Sequence, residues 1–270
     1  MGTERPGIRL LACDMDGTLF RQDLIISATV KDAIARAQQA GVLVILATGR
    51  MPAAASTFTT LLGLTGPQIY ANGALVQTVA GKVISHLPIE SEVARNIVAF
   101  CVSRGFHVNA YVGDDVYVAR LSPEAEFTRK LNRLNPIVVA DLIGFVELHE
   151  PTKMVIVRLP SVEPTLLPEV QRTFHGQALV FSSVPQYVEM VNPLVDKGRA
   201  LHNLADTLGL SRDQVAAIGD GDNDLTLLGA AGLPIAMGNG TTQLKAIARH
   251  IVGTVEENGV AQAIDRYILQ

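Results

Sequence analysis

The stretch Leu10-Leu11-Ala12-Cys13-Asp14-Met15-Asp16-Gly17-Thr18 constrains this chain more than any other. The run from Ile8 to Cys13 is short, apolar and ends at a turn signal, so it reads as a buried strand. Asp14 then falls at the strand's carboxyl end, where open parallel sheets collect their ligands. Gly17 permits the tight backbone path that follows. Two carboxylates one residue apart repel unless a cation sits between them or one keeps a proton. Either outcome is chemically useful. A hard cation such as Mg2+ takes one or two carboxylates plus a substrate phosphate, and a carboxylate can itself form an aspartyl-phosphate.

The residues that follow set this stretch in a layered sheet. Leu19 to Ile26 reads as a small flap hairpin. Ser27 offers an N-cap to a helix with Val30, Ala33, Ile34 and Ala37 on one face and Gly41 at its end. Val42 to Ala47 is a second buried strand, closed by Thr48-Gly49-Arg50, and Pro52 opens another helix. Gln68 to Ala71 is a third strand, followed by the turn pair Asn72-Gly73. A hairpin over Ala74 to Val79 and Lys82 to His86 comes next. Alternating strands and helices predict a parallel sheet covered on both faces. Thr48 sits at a strand's carboxyl end like Asp14, where a hydroxyl and a free backbone N–H can hold a phosphate oxygen.

Near residue 86 the rhythm changes to hairpins mixed with helices, which predicts an α+β unit with an antiparallel sheet. Ser91 is read as the cap of its first helix, and Gly113-Asp114-Asp115 as a hairpin turn. A helix from Ser122-Pro123 is read with Phe127, Leu131 and Leu134 on its apolar face. The unit is placed at 86–189, inserted into a core made of 1–85 and 190–270. The core resumes near Asn192-Pro193 with a helix carrying Lys197 in its first turn, where the helix dipole disfavours a cation. A local rule broken in this way often marks function. Val215 to Ile218 is a further buried strand, and it runs into Gly219-Asp220-Gly221-Asp222-Asn223-Asp224. Four acids or amides in five residues at a strand end invite a cation.

These four stretches, in this order, resemble the motifs of the haloacid dehalogenase superfamily, in its Cof-type subgroup with a large inserted cap. The similarity covers essentially the whole chain. It implies a doubly wound parallel-sheet core with an inserted α+β cap that governs substrate choice, and a Mg2+-dependent phosphatase acting on small phosphomonoesters. Carried over residue by residue, Asp14 is the nucleophile and Asp16 the general acid/base. Thr48 and Gly49 belong to the phosphate-binding motif, and Arg50 is a possible substrate contact. Lys197 neutralises nucleophile and phosphate, and Asn223 contacts phosphate or orders Lys197. The metal is assigned to Asp14, the Asp16 backbone carbonyl and Asp220, with Asp224 supporting its shell. A phosphomutase with the same intermediate and a catalytically silent binder of phosphorylated metabolites remain as alternatives. A receiver-type domain draws its acids from different strands and needs about half this length.

Composition narrows the partners. With 22 basic against 26 acidic residues and no basic stripe, nucleic acid is not expected; the expected partner is a small phosphorylated metabolite. The two cysteines, Cys13 and Cys101, lie in apolar runs and read as buried free thiols. No apolar run approaches a membrane span, and Pro6, Gly7 and Arg9 interrupt any signal-peptide core, so a cytoplasmic protein is expected. Oligomeric state is not readable from these residues.

Overall fold

The computed structural model describes residues 7–20 and 23–269. Over these residues the chain forms two compact units, one from the described residues up to Arg50, Ser56–Ile84 and the described residues from Asp196 onward, and the other from Met51–Ala55 and Ser85–Val195. Strand β1 (Leu10–Cys13) is fully buried. Helix α1 (Ala28–Gln39) is capped by Ser27, whose hydroxyl accepts from the Val30 N–H at 3.2 Å. Its buried face is Val30, Ala33, Ile34 and Ala37, the set expected from helical spacing, and each fully buried Val or Ile contributes about 1.5–3 kcal/mol. Strand β2 (Leu43–Leu46) and helix α2 (Pro52–Leu61) follow. Then come β3 (Pro67–Tyr70), a 3-10 turn over Ala71–Gly73, β4 (Leu75–Thr78) and β5 (Val83–His86). Of the predicted flap hairpin, Arg21 and Gln22 lie outside the described residues; the described remainder forms an isolated bridge between Asp16 and Phe20 rather than paired strands.

The second unit contains α3 (Ser91–Arg104), β6 (His107–Val112), β7 (Asp115–Val118), α4 (Pro123–Asn132) and β8 (Ile137–Val138). After these come α5 (Leu142–Leu148), β9 (Lys153–Val157), α6 (Leu166–Thr173), β10 (Leu179–Phe181) and β11 (Tyr187–Val191). Its six strands run in the order β10-β11-β9-β6-β7-β8, antiparallel except for β7 and β8. Strand pleating sorts the side chains by face. Val108, Ala110, Met154, Ile156, Val188 and Met190 share one core with α3, α5 and α6. His107, Asn109, Tyr111, Lys153, Tyr187 and Glu189 alternate with them and form a buried polar layer.

Two expectations for this unit need correction, and one helix carries no sequence signal. Ser91 is the first helical residue of α3; the cap position is Glu90, with no capping side chain. Helix α4 buries Ala125 and Thr128, while Leu131 stays 43% exposed, because α4 packs on the polar layer and not on the apolar core. Helix α5 was not anticipated, since seven residues are too few to establish a helical period.

The first unit resumes with α7 (Lys197–Thr207), β12 (Val215–Gly219), α8 (Leu225–Ala230) and β13 (Leu233–Ala236). Helix α9 (Thr242–Ile247), strand β14 (His250–Ile251) and helix α10 (Gly259–Ala263) complete it. The sheet order is β14-β13-β12-β1-β2, with every pairing parallel. A single parallel bridge, Ala47 to Ile69, joins it to the antiparallel set β3-β4-β5. From β1 the chain proceeds to β2 on one side, whereas β12, β13 and β14 build outward on the other. The strand order therefore reverses between β1 and β12, and a crevice opens beyond the carboxyl ends of those two strands. None of the described helices is long and apolar enough to cross a membrane.

Candidate active site

Both principal acids follow from that reversal. Asp14 comes directly after β1, and its N–H donates to Ile218 of β12 at 2.9 Å. Asp220 comes directly after β12 itself. Lys197 is the first residue of α7, a helix capped by the Asp196 carboxylate, which accepts from the Arg199 N–H. Its Nζ donates to Asp14 Oδ1 and Asp224 Oδ1, each at 2.7 Å, and the residue is 1% exposed. The cation disfavoured by the dipole is thus held by two carboxylates. The other Asp224 oxygen accepts from the N–H groups of Asp220 and Gly221, both at 3.0 Å.

Asp220 is steadied by residues that sequence reasoning left as turns and strand exits. Thr18 Oγ1 donates to its Oδ1 at 2.9 Å. Asn239 Nδ2 donates to the Gly17 carbonyl at 2.8 Å and lies 3.5 Å from Asp220 Oδ2. Gly17 has φ +84°, and a Cβ there would stand 2.2 Å from Asp220 Oδ2. A side chain at this position is excluded twice, by backbone conformation and by the acid across from it. A signal for Thr18 and Asn239 did exist, since both adjoin glycines at strand exits, but nothing local says which acid they serve.

The charges in this cluster do not balance. Asp14, Asp220 and Asp224 bring oxygens within 4.8 Å of one another, and one ammonium faces all three. Burial, then the neighbouring Asp224 carboxylate, pushes Asp14 up to about 8, against the pull of Lys197. Burial likewise pushes Asp220 up to about 6, opposed by the Thr18 hydroxyl. For Lys197, burial alone would lower the pKa, but Asp14 and Asp224 outweigh it and the net shift is upward. Clustered oxygen donors with surplus negative charge are the donor set that a hard divalent cation accepts.

The second motif sits at the end of β2. Thr48 is buried; its hydroxyl accepts from the Arg50 N–H at 3.1 Å and keeps its own proton for donation. The Thr48 backbone N–H is engaged by the Ile69 carbonyl at 2.9 Å, so that group is not the free donor expected at this strand end. Asn72, in a left-handed conformation, donates its N–H to the Thr48 carbonyl at 2.9 Å. Its side-chain oxygen lies 3.5 Å from Asn223 Nδ2, and a Cβ on Gly49 would meet the same side chain at 3.2 Å. Asn72 therefore links the Thr48 motif to the acidic loop, a role its Asn-Gly turn signal did not reveal.

Asp16 stands apart from the carboxylate cluster. Arg50 donates to it in a fork, Nε to Oδ2 at 2.9 Å and Nη2 to Oδ1 at 2.6 Å. The guanidinium lies 5.3 Å from the Phe20 ring centroid and 5.7 Å from that of Phe58, and the two rings stack at 4.5 Å. Two charge-assisted bonds and an aromatic platform make this a defined pair rather than a loose surface contact.

Comparison with known proteins agrees with this arrangement. The model of a family described as haloacid dehalogenase-like hydrolase matches residues 11–264. A 5-amino-6-(5-phospho-D-ribitylamino)uracil phosphatase of Bacillus subtilis is 30% identical over 266 residues, covering 96% of this chain and 97% of the relative. A pyridoxal phosphate phosphatase of Escherichia coli is 27% identical, covering 97% of this chain and 99% of its own. Among solved structures, a Thermotoga maritima protein superposes with a TM-score of 0.88 at 28% identity, over 96% of this chain and 97% of its own.

Proposed function

The chain belongs to the haloacid dehalogenase-like hydrolase family and is a phosphohydrolase, and from that premise we propose that it is a Mg2+-dependent phosphatase of small phosphomonoesters working through an aspartyl-phosphate on Asp14. The observation that carries this reading is the uncompensated carboxylate cluster at the β1–β12 reversal, with Lys197 buried inside it. Asp14, the Asp16 backbone carbonyl and Asp220 would hold the cation, while Asp224, bonded on both oxygens, fixes Lys197 and the loop. Bound there, the cation supplies charge neutralisation for the three carboxylates and for the substrate's phosphate.

The chain's own groups do the rest. An Asp14 oxygen attacks phosphorus as the ester P–O bond breaks, and Asp16, which takes a proton from solvent once its two bonds to Arg50 open, gives that proton to the departing alkoxide oxygen. In the second half-reaction water attacks the aspartyl-phosphate, Asp16 takes the water's proton, and inorganic phosphate leaves. Lys197 and the Thr48 hydroxyl offset charge on the equatorial oxygens, joined by Asn223; preorganised donors of this kind provide most of the catalysis in phosphoryl transfer. Substrate choice is assigned to the inserted unit, 86–189, because all four motifs lie outside it.

The test is a phosphate-release screen over many phosphorylated metabolites, with Mg2+, on wild type and Asp14→Asn. EDTA should abolish release and Mg2+ restore it. Ca2+ should restore it poorly, since its looser shell does not enforce octahedral geometry. Full turnover in metal-free enzyme, or a phosphorylated peptide mapped away from Asp14, would overturn the proposal.

A further inference from the structure

The Arg50–Asp16 pair carries an inference about which leaving group the site accepts, and it rests on the phosphatase reading above. Asp16 can reach a departing oxygen only after the pair opens, because both of its oxygens are bonded to the same guanidinium. Opening leaves that guanidinium without two charge-assisted bonds, still stacked on Phe20 and Phe58. Lys197 does not offer a comparable contact. It is 1% exposed and committed to Asp14 and Asp224, whereas the Arg50 side chain is 23% exposed and that of Asp16 56%. A planar carboxylate replaces both lost bonds at once, with the same fork geometry; a hydroxyl replaces one, as a neutral acceptor.

Position narrows the class further. In the proposed reaction Asp16 serves the leaving oxygen, and Arg50 lies one hydrogen bond beyond Asp16. A carboxylate one or two carbons from the ester oxygen therefore falls within reach of Arg50 as Asp16 moves onto that oxygen. We propose that Arg50 exchanges the Asp16 carboxylate for a carboxylate on the substrate, so that, among the substrates the inserted unit admits, phosphate esters of small hydroxy acids are preferred. Arg50 then has two tasks. It positions Asp16 before substrate arrives, and it recognises the leaving group afterwards.

The experiment compares 2-phosphoglycolate with 2-hydroxyethyl phosphate, which carries CH2OH in place of the carboxylate, and uses p-nitrophenyl phosphate as an activated control. All are assayed for phosphate release with Mg2+ on wild type, Arg50→Gln and Arg50→Lys. Wild type should prefer the carboxylate substrate in kcat/KM by about tenfold or more, the scale of charge-assisted hydrogen bonds. Arg50→Gln should bring that ratio close to one. Arg50→Lys, with the charge but not the fork, should fall between, a graded rescue that a merely structural role for Arg50 does not produce. A wild-type ratio at or below one overturns the inference, as does an Arg50→Gln ratio equal to wild type. If Arg50→Gln fails to fold, the wild-type ratio and the lysine variant still decide. Release from p-nitrophenyl phosphate without the preference removes this inference alone, whereas no release from any of the three removes the phosphatase reading with it.

Discussion

Each unit of the molecule buries a polar layer, and the two layers are built on opposite plans. In the second unit Lys153 donates to Glu189 at 2.8 Å, and Ser183 donates to the same carboxylate. Beside them runs a neutral chain: His107 to Asn109 at 3.0 Å, Asn109 to Thr128 at 2.9 Å, Thr128 to Tyr187 at 3.1 Å. Every charge there has an opposite charge beside it. In the first unit three carboxylates cluster, and the one lysine among them is bonded to two. A balanced buried network fixes one arrangement of its side chains. An unbalanced one is costly when nothing else is bound and becomes favourable when a cation arrives, which is the economy of a binding site.

The largest effects should come from attacking the unbalanced layer. Asp14→Asn should remove turnover entirely, yet in EDTA its melting temperature should equal or exceed that of wild type, because the change relieves repulsion among buried acids. A clear loss of stability would mean that the first layer is structural after all, and the contrast between units would fail. Lys197→Met should lower kcat by about 10²–10³, the scale of one preorganised charge-stabilising group. A loss of only a few fold would return Lys197 to a packing role.

Effects on the balanced layer should appear in stability rather than chemistry. Lys153→Met leaves Glu189 buried without its cation and should cost about 3–5 kcal/mol in a denaturant titration. The double change Lys153→Met/Glu189→Leu should recover most of that loss, since well-packed apolar pairs often replace a buried ion pair at no net cost. If the double variant stays as unstable as the single one, that layer is more than a self-contained pair.

The smallest effect is a difference in pH response. Asp14 is raised in the folded state, so in EDTA the folded chain binds more protons than the unfolded one between the ordinary carboxylate range and about pH 8. Its contribution is present at low pH and is lost as pH rises through that window. His107 is shifted the other way, burial lowering its pKa. Its contribution is present above the ordinary histidine value and is lost as pH falls through the folded one. Hydrogen-exchange protection factors, which divide out the intrinsic rate, should therefore rise at β1 and β12 on acidification to pH 5.5 and fall at β6. The same sign in both units would show that the layers do not titrate independently.

What the sequence revealed follows the same divide. Asp14, Thr48, Lys197 and the 219–224 loop could be read because each lies in a short local pattern at a strand exit or helix start. The partner choices could not be read. Arg50 reaching back to Asp16 and Asn72 meeting Asn223 span 34 and 151 residues, and no local rule specifies them. The face of α4 was misread for a physical reason. Phe127 and Leu131 keep helical spacing, but the layer beneath α4 is polar, so Thr128 is the residue that turns inward. Thr48 misled in a smaller way: strand-end position suggested a free N–H, and the Ile69 carbonyl takes it.

The pairing of β1 with β12 sets a timetable for the chain's synthesis. Asp14 and Lys197 are 183 residues apart, a gap that a ribosome covers in on the order of 10–40 s at ordinary elongation rates. Once β2 has emerged, and until residues 215–219 follow, β1 has β2 on one side and a bare apolar edge on the other, an open template for stray strand pairing. The hazard and the assembly of the carboxylate cluster share an end point. When residues 215–219 arrive they close the edge and bring Asp220 and Asp224 with them, so a nascent chain completes its carboxylate cluster as it loses its exposed strand.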